Sequence, residues 1–165
     1  YADFVKVSTG KGIKVTDLNV FGKYKVLGAN GEIGKTNKYL YDEDLLLTGR
    51  VGTLGSIYFS KGKVWISDNV LISKPLTEEK FYFSYFILQQ MNFDSLNRGS
   101  TQPLITQTDI KNVALVYPND SVLMKWHTIV VPNFKKLFNN NSQIQTLSCL
   151  RNDLLPKLMK GELRV

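Results

Sequence analysis

The chain has 165 residues, of which 43% are hydrophobic and 21% charged. That balance suits one globular domain with a sizeable core plus an appendage, and excludes a disordered chain. The net charge of +7 favours a polyanionic partner, most simply nucleic acid, although a basic solvated face would carry the same charge. No apolar run is long enough to span a bilayer, and no signal peptide is read. The single cysteine, Cys149, cannot form an internal disulfide, which suits a reducing cytosol and a cytoplasmic protein. The chain opens on Tyr1 rather than Met, which leaves room for a preceding segment.

Residues 1 to about 75 read as β. Short alternating runs (FVKVS, YKVLG, LLLTG, SIYFS, VWISDNVLI) are separated by Gly, Asn and Lys. Lys6, Lys11, Lys14, Lys23, Lys25, Lys35 and Lys38 crowd the first forty residues, interleaved with Gly, Thr and Asn. Such residues contact phosphates and base edges. The stretch GANGEIGKT at 28–36 looks like a nucleotide phosphate loop, but the first glycine of that pattern falls on Ala29. The strand before it looks half-exposed, and nothing after it has a helical period, so the phosphate-loop context is missing. The stretch reads instead as a hairpin turn with Asn30-Gly31 as the tight pair. Gly49, Gly52 and Gly55 imply tight turns or close backbone approach. Lys61-Gly62-Lys63 looks like a hairpin tip.

Pro75 ends the β pattern. Thr77 is a plausible N-cap, and Glu78 and Glu79 suit a first helical turn. Phe81, Tyr85 and Leu88, widened by Tyr82 and Phe86, predict a helix over 78–91 packed on the sheet. Residues 92–108 are polar and irregular. A helical turn near 108–111 and a strand at Val113–Tyr117 follow, and Pro118-Asn119-Asp120 marks a boundary. From Ser121 the period is helical, with apolar residues at Leu123, Trp126, Val130, Phe134, Leu137, Ile144, Leu147, Leu150, Leu154 and Leu158. Asn141 fills one break in that seam. So long a seam reads as an arm seeking a partner helix, the alternative being an arm that folds back on its own domain. Pro132 is expected to kink or divide the helix, and Pro156 to end it or kink its last turn.

Bond-making chemistry is hard to find. His127, the only histidine, has no cysteine or carboxylate at ligand spacing, so neither zinc nor a serine triad is indicated. Cys149 reads as a small apolar helix residue. Asp68 with Glu78-Glu79-Lys80 loosely resembles the D…E-x-K set of magnesium-dependent nucleases, yet an acidic first turn explains the glutamates without chemistry. The Asn/Asp-Pro-Pro-aromatic motif of adenine methyltransferases and a G-x-G-x-x-G loop are both absent from the sequence. No metal or cofactor is called for.

Three stretches together resemble one half of a type I restriction–modification specificity (S) subunit. They are YKVLGANGEIGKTNKYLYDEDLLLTGRVGTLGSIYFSKGKVWISDNVLI, RGSTQPLITQTDIKNVALVYP and LSCLRNDLLPKLMKGELRV, in the family's order. The resemblance implies an α+β fold: a small twisted, mostly antiparallel sheet domain with a packed helix, then a long Pro-kinked helix that pairs as an antiparallel coiled coil. It implies a DNA target recognition domain at 1–119 and a helical spacer at 120–165, and places GANG in the recognition domain's sheet with no role for ATP. The complete subunit of this family has two such halves, docks two methyltransferase subunits, and is joined by motor-nuclease subunits for cleavage. KLMKGELRV resembles the family's carboxyl end, so the C-terminal half is the expected match; a half-sized subunit that dimerises is the alternative.

On this reading the chain is not an enzyme and binds double-stranded DNA, lysines and arginines neutralising phosphates while polar side chains choose bases. The DNA-binding candidates are Lys35, Thr36, Asn37, Lys38, Arg50, Lys61, Lys63, Arg98, Ser100, Thr101 and Gln102, each in a glycine- or polar-rich loop near basic charge. Arg98 and Gln102 are the expected base readers, because Arg suits guanine and Gln suits adenine. A structural salt bridge is a second reading of Arg50. The helix-pairing candidates are Trp126, Val130, Phe134, Leu137, Ile144, Leu147, Leu150, Leu154 and Leu158, facing a second S half or another copy. The competing readings are a protein–protein adaptor that never touches DNA and a small magnesium-dependent nuclease.

Overall fold

The computed structural model describes residues 1–162. The last three residues of KLMKGELRV therefore lie outside the described residues. Contacts divide the chain into two compact units, Tyr1–Leu123 and a second beginning at Met124.

The first unit holds eight strands in two sheets. One sheet has the order β1 (Val5–Thr9), β8 (Val70–Pro75), β5 (Leu45–Gly49), β6 (Ile57–Ser60), all antiparallel. The other runs β3 (Gly31–Thr36), β2 (Tyr24–Gly28), β7 (Lys63–Ile66), β4 (Tyr41–Asp42), with β2 and β7 parallel and the other pairs antiparallel. Leu27, Val64 and Ile66 from the second sheet meet Leu45, Leu47, Val70 and Ile72 from the first in one buried cluster, with Tyr41 and Tyr58 packed against it. The sheets thus bury their facing sides on each other, so the sheet domain is a two-layer structure. β5 is buried at every position. A central strand covered on both faces reads as a continuous apolar run rather than an alternation, which is why LLL stands there.

Helix α1 (Lys80–Gln90) packs beside β8 and β6, with Ser84 and Leu88 as its buried residues. It starts later than the sequence suggests. Thr77 does not cap it with its side chain; the Thr77 carbonyl accepts from Lys80 N at 3.2 Å and Glu79 takes the cap position. Helix α2 (Gln107–Lys111) matches the expected short turn and carries a complete capping box between Thr106 and Asp109. The expected strand at Val113–Tyr117 does not form. Its neighbour is the start of the chain, whose amino group donates to the Val113 carbonyl at 2.7 Å, and no second strand is there to pair it.

Two turn assignments are also corrected. Gly28 pairs with Gly31, so the β2–β3 turn is Ala29-Asn30. Among the described residues no non-glycine has positive φ, which excludes a primed turn, and Gly31 at φ +111° absorbs the reversal instead. Lys61-Gly62-Lys63 is not a hairpin tip: β6 and β7 lie in different sheets, and Gly62 at φ +63° lets the chain turn the corner between them. Likewise Ser67-Asp68-Asn69 breaks VWISDNVLI into β7 and β8, one in each sheet.

The second unit is helical. Helix α3 spans Asp120–Met159, 40 residues, about 60 Å at the usual rise. Asn119 caps its start, Oδ1 accepting from Val122 N at 3.0 Å. The helix passes through Pro132 and Pro156 without being divided. Beside the first proline, Asn133 Nδ2 donates to the Ile129 carbonyl at 2.9 Å, a side-chain bond next to the place where proline supplies no N–H.

Candidate nucleic-acid interface

One end of the two-layer unit is built from four loops that fasten to one another. Gly10 approaches the 66–67 backbone so closely that a Cβ there would stand 2.2 Å from the Ser67 carbonyl oxygen. Lys11 N donates to the Ile66 carbonyl at 2.8 Å, and the buried Trp65 indole donates to the Lys11 carbonyl at 2.8 Å. Arg50 N donates to the Asn69 carbonyl, Ile105 N to the Arg50 carbonyl, and Gly52 N to the Pro103 carbonyl. Loops 10–12, 50–55, 67–69 and 98–105 therefore meet. The β2–β3 turn joins them: Tyr58 OH donates to the Gly28 carbonyl, and Ser56 Oγ lies 3.4 Å from Asn30 Oδ1.

The structure divides the expected DNA-binding residues between two places. Arg50, Arg98, Ser100, Thr101 and Gln102 share the fastened loop end. Lys35, Thr36, Asn37, Lys38, Lys61 and Lys63 lie toward the other end of the second sheet. The two groups are separated by the length of β2, about 13 Å at the usual strand rise. At the loop end Ser100, Thr101 and Gln102 are exposed. Their loop is tight: Arg98 N donates to the Leu104 carbonyl at 2.9 Å, and Asn97 Oδ1 accepts from both Gly99 N and Leu104 N at 2.9 Å.

Arg98 is corrected by this geometry. Its Nε and Nη2 hold Asp109 Oδ1 at 2.6 and 2.5 Å, while Asp109 Oδ2 accepts from the Thr106 backbone and hydroxyl. Burial pushes the Asp109 carboxyl up, but the hydrogen bonds from Arg98 and Thr106 and the Arg98 charge outweigh it and hold the group below the usual range. The Nε–Nη2 edge of the guanidinium, expected to be free for guanine, is instead committed to fastening its own loop to α2. Thr36 is also corrected. It is 1% exposed, and its hydroxyl accepts from Lys38 N at 3.3 Å, so it shapes the strand end and offers no contact surface.

Arg50 keeps its exposed end. Its Nη1 reaches the Asp68 carbonyl at 3.5 Å, so the protein partner seen is a backbone oxygen and not the carboxylate of a salt bridge; Nε is buried without a hydrogen-bond acceptor. At the other group, Lys38 pairs with Asp17 at 2.7 Å, Lys63 with Asp42 at 3.7 Å, and Asn37 Oδ1 accepts from Lys23 N at 3.2 Å. The Lys63 ammonium lies 4.9 Å from the Tyr39 ring centre; Tyr39, then Asp42 and Tyr24, raise it above its usual value, so it stays charged. Lys35 and Lys61 are exposed there. Lys11, Asn30 and Asn69 also belong to the loop end and are not among the expected contact residues. Lys11 stands in the basic run of the first forty residues, between two glycines, which is the local signal that points to it.

The nuclease arrangement is not assembled. Asp68 precedes β8 and Glu78 follows it, about 20 Å apart along the strand. Lys80 stands over the Phe4 ring, 4.9 Å from its centre. Among the described residues no three His, Cys, Asp or Glu side chains cluster as a metal site. The GKT of 34–36 lies within β3, paired with Val26, Lys25 and Tyr24, and no helix follows it, so the phosphate-loop resemblance fails on structure. No helix among the described residues is long and apolar enough to cross a membrane.

Known proteins resemble this chain in sequence and in fold. Residues 1–151 match the family model described as the type I restriction modification DNA specificity domain. Over 99 residues the chain is 38% identical to the type I restriction enzyme MjaIX specificity subunit of Methanocaldococcus jannaschii, covering 58% of this chain and 22% of that protein. Its fold is similar to the type I restriction–modification S subunit from M. genitalium, with TM-score 0.78 and 18% identity over 94% of this chain and 43% of that one. A chain from a structure of type I R-M complex assembly matches with TM-score 0.62 and 16% identity, over 98% of this chain and 45% of that one. The chain thus spans less than half the length of the relatives it matches. With the model covering most of its residues, the chain belongs to the type I restriction modification DNA specificity domain family.

Proposed function

We propose that this chain reads one half of a bipartite double-stranded DNA target as the specificity component of a type I restriction–modification complex, and directs adenine methylation and restriction by partner subunits in the cytoplasm. The observation that carries the reading is the fastened loop end, which presents Arg50, Ser100, Thr101 and Gln102 from a backbone held by bonds between four loops. Rigid placement lets a short polar side chain discriminate base edges. Lys35, Lys38, Lys61 and Lys63, one strand length away, suit phosphates, since about 13 Å spans roughly four nucleotide steps. The chain is a binding module on this reading, and methyltransferase and motor-nuclease subunits supply the chemistry. Residues 1–119 act as recognition domain and 120–165 as spacer.

The spacer reading rests on α3. Leu137, Ile144, Leu147, Leu150, Leu154 and Leu158 are exposed large apolar residues along that helix. Such a stripe is stabilised by a partner helix, either that of a second S half or that of another copy, lying antiparallel. Of the other expected pairing residues, Trp126 and Val130 are half-buried and Phe134 is buried within the chain, so the exposed part of the seam begins at Leu137.

The experiment is selection from a pool of random-sequence duplexes with the full chain at about 50 mM salt, followed by sequencing. A half-site of a few enriched base pairs is expected, with affinity falling steeply as salt rises. Absence of duplex binding at that salt would sink the reading and favour a protein–protein adaptor.

A further inference from the structure

The segment between β1 and β2 ends in two apolar side chains held out in water. Lys14 to Leu18 form a 3-10 turn, with Asp17 N donating to the Lys14 carbonyl at 2.9 Å. The segment then clamps onto β3: Asn19 N donates to the Lys35 carbonyl at 2.8 Å, and Leu18 lies over Gly34. Asn19 closes the apex itself, Oδ1 accepting from Phe21 N at 2.9 Å and its carbonyl from Gly22 N at 2.8 Å. Gly22 is buried against β3, where a Cβ would stand 2.4 Å from Thr36 N. Val20 and Phe21 at the apex are 83% and 93% exposed.

A single exposed apolar side chain is ordinary, but two adjacent ones on a pinned apex, rimmed by charge, mark a contact surface. The rim is basic. Lys14 opens the segment, Lys23 follows it, and Lys35 is the β3 residue to which it is clamped. The nearby Asp17 carboxylate is already engaged by Lys38. Cationic flanks around a small apolar tip fit a polyanion with a stacked apolar interior, which is a nucleic-acid duplex. Proteins that open a base step insert an apolar side chain while basic residues hold the adjoining phosphates.

We infer that the Val20–Phe21 apex is a wedge that enters a DNA duplex between stacked base pairs, with Lys14, Lys23 and Lys35 on the flanking phosphates. This rests on the DNA-reading proposal and adds a deformation of the duplex about one strand length from the bases that are read. A duplex that opens easily at that step would be favoured without any hydrogen bond to its bases.

The test uses the full chain and random-sequence 30-base-pair duplexes. Phe21→Ala is expected to weaken binding about tenfold without changing the salt slope, because it removes stacking and no charge. Lys14→Ala and Lys23→Ala are each expected to lower the salt slope by about 1. Phe21→Trp is expected to lose indole emission on binding, as an inserted ring stacks on bases. Thermal melts of all variants should match the parent, since the apex is exposed. Unchanged duplex binding by Phe21→Ala, with the parent binding well, overturns the wedge and leaves the DNA-reading proposal standing. If Phe21→Ala spares DNA binding but prevents association with the methyltransferase subunit, the apex is a protein-docking tip and the wedge is overturned. No duplex binding by the parent overturns both proposals together.

Discussion

Arg98 grips Asp109 with two nitrogens on one carboxylate oxygen, at 2.6 and 2.5 Å, and so ties the 98–105 loop to the capping box of α2. The Asp109 side chain is 6% exposed while that of Arg98 is 63% exposed. The carboxylate is therefore the sheltered partner, and it depends on the donors around it.

Asp109→Asn should lower stability by about 2 kcal/mol, through weaker capping and loss of charge-assisted bonds. The sign with pH follows from the depressed carboxyl of the fold. Its contribution is present above the ordinary carboxylate range and is lost as pH falls through the depressed folded value. Urea unfolding of parent and variant should therefore converge in acid, below about pH 4. A gap that stays constant down to pH 3 would show that the charge on Asp109 contributes nothing.

Arg98→Ala and Gln102→Ala should differ in kind. Loss of Arg98 loosens a loop, so binding should weaken on all sequences alike. Loss of Gln102 should relax preference at one position, by about 1–3 kcal/mol. Selection from a random duplex pool separates the two, and a sharp change of preference in Arg98→Ala would return that residue to base reading.

Gly99→Ala probes the loop directly. A Cβ on Gly99 would lie 1.8 Å from the Gln102 carbonyl oxygen, so the loop has to open. Duplex affinity should fall more than about tenfold, which corresponds to about 1.4 kcal/mol, while the circular dichroism of the sheets is retained. Full affinity in this variant would place the interface elsewhere.

Thr36→Val keeps the shape of a buried side chain and removes the oxygen that accepts from Lys38 N. A loss of about 1 kcal/mol in stability is expected, with duplex affinity unchanged. A loss of affinity at equal stability would restore Thr36 as a contact residue.

Leu147→Lys combined with Leu154→Lys should abolish pairing through α3, read by sedimentation, and leave the melting of the first unit unchanged. Both leucines are exposed, at 64% and 44%, so neither change disturbs a core within the chain. Persistent association would mean that the helix seam is not the pairing surface.

Much of this was legible in the residues themselves. The strand runs, the helix over Lys80–Gln90, the short α2 and the helical period of α3, broken once at Asn141, follow from local apolar spacing. The glycines at 49, 52 and 55 read as turns because Gly52 and Gly55 take positive φ and Gly49 meets backbone. The failures share one cause. Val113–Tyr117 has a strand-like composition, but a strand needs a neighbour with a free edge, and that is a tertiary fact. Lys61-Gly62-Lys63 carries the residues of a hairpin tip, yet whether the chain pairs back or turns into a second sheet depends on which strands already hold β5 and β2.

The site divides the same way. Composition and charge determined a basic, polar-looped β unit with a long helical arm, because net charge, turn chemistry and helical period are properties of neighbouring residues. Only the tertiary structure decided which candidates stand together. It brought Lys11, Arg50, Asn69 and Gln102 to one end through backbone bonds between loops far apart in sequence, such as Lys11 N to the Ile66 carbonyl and Ile105 N to the Arg50 carbonyl. It also spent Arg98 on Asp109 and buried Thr36, since a side chain's freedom to meet a ligand is set by what its own fold has already bound to it.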